Sequence, residues 1–124
     1  MAYEEALVGI SLNAGADLSA PAKLYTAVKL TSAGVVSCSV AGELGIGILQ
    51  NNPKVGDPAK VAIGGVSKVK TGAAIAVGVP VATNAAGLLI TAVATNKIIG
   101  VSLAAAASGD IIPVLVNPPG TGVF

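Results

Sequence analysis

The chain has 124 residues, of which 53% are hydrophobic and 10% are charged, and its formal net charge is +1. It contains no histidine and no arginine, so the commonest general base, the commonest metal ligand and the guanidinium clamp for phosphate are all missing. The small charge supplies no field to attract nucleic acid, and a single cysteine excludes an internal disulfide.

The N-terminal residues 1–22 are predicted to form an extended arm. Their aliphatic side chains would be a liability in solvent, so the arm adds a strand to its own sheet or, as we favour, to a neighbour's. On this hypothesis, removing residues 2–20 abolishes binding to the neighbouring protein and leaves the rest of the fold intact. The candidate contact residues are four aliphatic residues of the arm and one aromatic residue near each end of the chain: Tyr3, Leu7, Val8, Ile10, Leu12 and Phe124.

A first group of short strands follows, within a single β domain predicted at 23–117. Residues 25–31 alternate, with Ala27 and Lys29 on one side and Val28 on the other. Two X-Pro steps make a loop of residues 51–58. The consecutive glycines Gly64 and Gly65 predict a bulge in the last strand of the group. The predicted strands are 25–31, 35–40, 45–49 and 60–69.

A second group of strands fills the rest of the domain. Residues 71–78 read as a turn-like link, and residues 84–87 as a reverse turn. Residues 104–107 are too few for a stable helix. The predicted strands are 79–83, 88–92, 97–103 and 111–116. Residues 118–124 form a C-terminal tail.

The two groups of strands are related by an internal repeat. An offset of 53, which places Gly34 on Gly87, matches residues 26–64 to residues 79–117 without a gap. The same offset places Gly56-Asp57 on Gly109-Asp110. Strands at this spacing with Gly, Asn and Asp turns are typical of small all-β folds. The sequence therefore predicts an all-β domain, a small β-sandwich or β-barrel built from two pseudo-repeats.

The mean hydropathy of +0.83 raises the question of a membrane span. Residues 71–96 carry no charge, but glycines, a proline and an asparagine fall there at turn-like spacing, and no aromatic belt flanks them. Glu4 and Glu5 occupy the place of the positive region of a signal peptide. We therefore expect no membrane partner.

No residue pattern supports catalysis or the binding of a metal or cofactor. Cys38 has no histidine to activate it and is predicted to be a buried structural thiol. Asp57 and Asp110 each follow a glycine before a strand, which is typical of turn chemistry. The few aromatic residues offer no stacking platform for nucleic acid. A structural or binding protein is left, whose poorly charged surface is covered by other subunits.

Eight short segments follow one another along most of the chain: 16–19, 24–30, 34–36, 46–51, 66–69, 72–78, 99–103 and 109–112. This succession resembles the capsid cement, or head decoration, proteins of tailed phages. Residues 72–81 are also similar to the β-clip turn of lambda-like decoration proteins, which adds β-clip-like elements to the expected fold. The chain departs from many members in its few acidic residues and in its longer Pro- and Gly-rich end.

This resemblance implies a structural protein made in the host cytoplasm and bound to the outer surface of the virion head. Its expected partners are the major capsid protein and itself, as a homotrimer, and it would stabilise the expanded shell by joining neighbouring subunits. Two alternatives stay open. One is another phage structural subunit, from the tail or a fibre base, and the other is a membrane-associated or secreted bacterial β-protein.

Overall fold

The computed structural model describes residues 5–116, with side chains from residue 7 onward. A 3-10 helix at Pro21–Lys23 was not predicted, and it begins at a proline, whose fixed φ suits a first helical position. The strands are β1 Glu5–Asn13, β2 Ala27–Thr31, β3 Gly34–Ser37, β4 Gly47–Leu49, β5 Pro58–Lys70, β6 Pro80–Thr83, β7 Leu89–Thr91, β8 Gly100–Ser102 and β9 Ile111–Val116.

These strands form one strongly curled antiparallel sheet, a half-barrel. Its order is β3-β2-β4-β5-β9-β8-β6-β7, and β1 pairs with β5 outside this path. The prediction of an all-β fold is confirmed. The predicted sandwich or closed barrel is replaced by this half-barrel, because the same long strand, β5, continues the sheet from the first group of strands into the second.

The N-terminal segment is part of this sheet. β1 runs antiparallel to β5 of the same chain, from Asn13 opposite Pro58 to Glu5 opposite Val66. Behind β1, Ala14 and Leu18 are each 2% exposed. Residues 5–13 therefore add a strand to the sheet of their own chain, and not to that of a neighbour as we favoured. We therefore expect removal of residues 2–20 to disrupt the fold, and not to leave it intact as the sequence suggested.

β5 contains the predicted bulge. Gly65 has a positive φ of 81°, and the pairing of β5 with β1 shifts its register on both sides of Val8. Ala62 and Val69 lie seven positions apart, yet both face the same core. In an uninterrupted strand an odd separation would place them on opposite faces. The bulge thus lets β5 contribute to one core before it and after it.

The buried side chains form two clusters, one on each side of the first strands. Val28 of β2 points into the smaller cluster and Ala27 into the larger, as the alternation predicted. The first core consists of Ala14, Leu18, Val28, Val35, Leu49, Ala59 and Val61. The second core consists of Ala27, Cys38, Ile48, Ala62, Val69, Ile75, Val81, Leu89, Ile99, Ile112, Val114 and Val116.

Strand pairings of the first half recur in the second half at a displacement of 53 residues. The recurrence covers the pairing of β2 with β4 against that of β6 with β8, and of β4 with β5 against that of β8 with β9. The matching pairs are Val28↔Gly47 and Val81↔Gly100, Ala27↔Ile48 and Pro80↔Val101, and Ile48↔Ala62 and Val101↔Leu115.

A pair of turns follows the same displacement. The backbone N–H of Val40 donates to Glu43 Oε1 at 3.0 Å, and the N–H of Val93 donates to Asn96 Oδ1 at 3.0 Å. A carboxylate and an amide thus close equivalent turns with the same kind of acceptor oxygen. The turns are held against each other because the N–H of Lys97, next to the second turn, donates to the carbonyl of Gly42 at 3.0 Å, and the N–H of Gly42 donates to the carbonyl of Thr83 at 2.9 Å.

In the part of the chain from residue 5 to residue 116, no helix has the length and hydropathy that a membrane span requires.

Candidate interaction surfaces

The predicted contact residues of β1 lie at the surface. Leu7, Val8 and Ile10 are exposed, Val8 most of all at 54%. Leu12 is half-buried and packs on the first core. Tyr3 and Phe124 lie outside the described residues. β1 therefore carries three exposed aliphatic side chains within four consecutive residues. Pairing with β5 satisfies the backbone hydrogen bonds of β1 on one edge without covering these side chains.

A cleft of about 410 Å³ opens beside β1. Its walls carry one ammonium group, from Lys60, and no acid or thiol. Such a lining can contact an apolar side chain or a carbonyl oxygen, but it brings together no acid, base or nucleophile. The lining residues are Leu7, Gly9, Ile10, Ser11, Gln50, Lys60 and Val61.

A second apolar surface lies on the outside of the sheet, in the second half. Pro80, Val101 and Leu115 are paired side by side across β6, β8 and β9, and we call these three the outer row. Paired residues of neighbouring strands point to the same face. Leu115 is 43% exposed, and the other two are half-buried. Sequence reasoning missed this surface, although the repeat places its residues on the buried Ala27, Ile48 and Ala62.

A third group of exposed aliphatic residues lies at the tips of the paired turns. Val40, Leu44 and Val93 project from the turns that Gly42 holds together. These residues were also missed. Val40 and Val93 are 53 positions apart in the printed sequence, so the repeat could have indicated that they lie in equivalent turns.

An ion pair supports these turns, with 3.0 Å between Lys29 Nζ and Glu43 Oε2. Burial alone would raise the pKa of the Glu43 carboxyl. The backbone N–H groups of Val40 and Ser39 and the Lys29 ammonium outweigh burial, so the pKa of Glu43 lies below its ordinary value. The carboxylate therefore serves to hold the turn.

Asp57 and Asp110 also have structural roles. Asp57 Oδ2 accepts from the N–H of Lys54 at 3.3 Å, and Asp110 Oδ2 accepts from the N–H of Ala107 at 2.9 Å. The prediction that both aspartates close turns is confirmed. Nowhere among the described residues do three or more His, Cys, Asp or Glu side chains come close enough to hold a metal ion.

Cys38 is a free thiol buried in the second core, as predicted. Burial, and then the nearby Glu43 carboxylate, raise the pKa of Cys38 to about 11. At pH 8 the thiol is therefore protonated, and it has neither the charge nor the access of a nucleophile.

Alkylation should reveal this protection. With iodoacetamide at pH 8, we expect Cys38 of the folded chain to react about 100-fold more slowly than in the urea-unfolded chain, where its pKa returns to about 8.5. Mass spectrometry of timed samples measures both rates. Equal rates would contradict the buried, protonated thiol.

A family described as "Phage cement protein" matches residues 16–117. Among solved structures, the chain is similar to the head fiber gp8.5 N base of bacteriophage phi29, with a TM-score of 0.67, over 90% of this chain and 94% of that chain. The two sequences are 14% identical, so this likeness shows a shared fold. No curated protein matches the chain.

Proposed function

Because the chain belongs to the phage cement protein family, we propose that it binds the outside of a phage head and stabilises the expanded shell by bridging major capsid protein subunits. The family places it in the virion, at the head surface, as a structural and non-enzymatic protein. The observation that carries the proposal is the family match over residues 16–117. The family match argues against the alternative of a membrane-associated or secreted bacterial β-protein.

The exposed aliphatic side chains support a binding role. They come from β1, from the outer row and from the paired turns, on a chain with few charges. Burying apolar surface contributes about 25 cal/mol per Å², so uncharged contacts can hold a shell protein without a charged partner surface. Such contacts are little weakened by salt. Three linked copies at one site would multiply modest individual contacts.

Co-sedimentation with purified undecorated heads tests this role. We expect the chain to pellet with expanded heads, to stay bound in about 1 M NaCl because apolar contacts are not screened, and to raise the temperature at which the heads release DNA. Release at moderate salt would contradict an apolar interface. Failure to bind expanded heads at any salt concentration would contradict the function itself.

A matched pair of substitutions tests whether β1 contacts the head. Val8→Glu places a carboxylate among the exposed aliphatic residues of β1, and Val55→Glu places one in a loop, at a valine of similar exposure. We expect Val8→Glu to weaken head binding at least about tenfold, because an unpaired charge must then be desolvated, and Val55→Glu to leave it unchanged. Equal affinities would place the head contact elsewhere.

A second candidate function is that of a base on which a head fibre is assembled. The fold shared with the phi29 head fiber gp8.5 N base favours it, and that protein is described as the base of a fibre. Immunogold labelling of virions separates the candidates from a tail role. Label over the head agrees with both, and label on the tail contradicts both. A fibrous protein that co-purifies with the labelled chain would favour the base.

We infer in addition that the domain consists of two pseudo-repeats and assembles as a homotrimer. The recurrent pairings at a displacement of 53 support the repeat for residues 26–64 and 79–117. The N-terminal segment follows with a displacement of 57, since Leu12 opposite Ala59 has its counterpart in Val69 opposite Ile112. Leu18 likewise donates to the carbonyl of Pro53 at 2.9 Å, and Ile75 to that of Ala106 at 2.9 Å.

A further inference from the structure

One row of side chains in the first half is completely covered by the second half of the same chain. Ala27, Ile48 and Ala62 are paired side by side across β2, β4 and β5, and each is 0% exposed. All three lie in the second core, with residues such as Ile99 and Val116. The packing of one half on the other is therefore built on this row.

Among the described residues 5–116, the equivalent row of the second half has no such complete cover. The outer row, Pro80, Val101 and Leu115, occupies the same positions after the displacement of 53. Its side chains are larger overall than those of the buried row, and Leu115 is 43% exposed. Leu103 and Ile111 extend the apolar surface beside it. A further copy of the second half, placed on this face as the second half is placed on the first, would cover it.

The surface that covers the buried row also has a counterpart in the first half, and that counterpart is more exposed. In the second half, Val69, Ile99 and Val116 pack against the buried row and are at most 5% exposed. Their counterparts in the first half are Leu12, Ile46 and Ile63, which are only half-buried around the first core. Ile10, exposed on β1, completes this group. We call Ile10, Leu12, Ile46 and Ile63 the rim.

We propose that the outer row of one chain packs against the rim of a second copy, head to tail, and so repeats between chains the contact that joins the two halves within a chain. This interface rests on the pseudo-repeat and the homotrimer of the proposed function, and it names the surfaces that join the trimer. A head-to-tail contact uses two different surfaces, so each chain offers both and a ring can close.

The charges near the outer row do not oppose this contact. Lys70 Nζ donates to the carbonyl of Pro21 at 2.7 Å, and Lys68 Nζ lies 5.7 Å from the centre of the Tyr25 ring. Both ammonium groups are thus held by the chain's own segment before β2. The four rim residues are aliphatic, so the contact buries aliphatic side chains against aliphatic side chains, with the Lys60 ammonium in the cleft beside Ile10.

Two variants, each of which introduces a charge into one of the two surfaces, test the interface by size-exclusion chromatography with light scattering. The wild-type chain should have three times the mass of one chain. Leu115→Glu in the outer row and Ile10→Lys in the rim should each reduce that mass about threefold, because each leaves an unpaired charge in an apolar contact. Mixed in equal amounts, the two single variants should form a dimer, because the intact rim of the L115E chain can still receive the intact outer row of the I10K chain. Val55→Glu is the control and should stay trimeric.

Circular dichroism of each variant checks that it is folded. Both substituted positions are exposed, so a loss of mass with an unchanged spectrum supports the interface. A monomeric wild-type chain, trimeric single variants, or a mixture of the two single variants that stays monomeric would overturn it. The head-binding assay is independent: a chain that binds heads as a monomer refutes this interface alone, and a trimer that binds no heads refutes the proposed function alone.

Discussion

Replacing Gly47 by alanine is expected to destabilise the fold by about 3 kcal/mol or more, a large part of the stability of a small domain. At this position β4 approaches β5 so closely that an added Cβ would overlap the carbonyl oxygen of Ala62 and lie 2.8 Å from Val61 Cγ1. The obstacle is backbone inside a paired strand, so it cannot rotate away. Urea unfolding followed by circular dichroism measures the loss.

The control for this substitution lies in the next strand. At Gly64 the nearest atom to an added Cβ is the Cβ of Val8, at 3.6 Å, which is an ordinary contact. Gly64→Ala should therefore change the free energy of unfolding by less than about 1 kcal/mol. Gly100→Ala should match Gly47→Ala, because its added Cβ would overlap the carbonyl oxygen of Leu115 in the equivalent pair. If Gly47→Ala is as stable as Gly64→Ala, the close approach of the strands is wrong.

Deleting residues 2–20 is expected to unfold the protein, because the first half loses a strand and part of its core. The deletion removes β1, which pairs along the first half of β5, and it removes Ala14 and Leu18 from the first core. The remaining residues of the first core would face water, and β5 would lose β1 as its pairing partner. Circular dichroism and hydrogen exchange should both report the loss of structure around β5.

Single leucine substitutions serve as the control for the deletion. Leu18→Ala should cost about 2–5 kcal/mol, because it leaves a cavity in the first core. Leu7→Ala, at an exposed position of β1, should cost less than about 1 kcal/mol. A truncated chain that keeps the spectrum and the stability of the full chain would show that β1 is dispensable.

The strands with local signals could be predicted from the sequence. β9 lies at the residues predicted, Ile111–Val116, and the bulge at Gly64-Gly65 is present. Most other predicted strands were too long by one to several residues, whereas β5, at Pro58–Lys70, is longer than the predicted 60–69. The prediction at 97–103, for example, is longer than β8 at Gly100–Ser102, because Lys97 donates to the carbonyl of Gly42 in a turn of the first half. Pairing, rather than the run of apolar residues, decides where such strands begin.

β1 and the surfaces depended on contacts far apart in the chain. Residues 5–13 lack a strict alternation, and their place in the sheet is set by β5, more than forty residues later. The exposure of Leu115 could not be read from its own strand, in which Val114 and Val116 are buried. Only the second half's position against the first decides which face of β9 is covered. The predicted contacts at Tyr3 and Phe124 lie outside the described residues.

The length of β5 has a consequence for how the protein folds. This strand of 13 residues pairs with β1 and β4 through its first part and with β9 through its second. It is thus the last strand of one half and the first strand of the other. Neither half can open while the other keeps β5 intact, so the two behave as one cooperative folding unit. The amides of β5 should then exchange with solvent only when the whole chain unfolds, a property suited to a protein that must not loosen piece by piece.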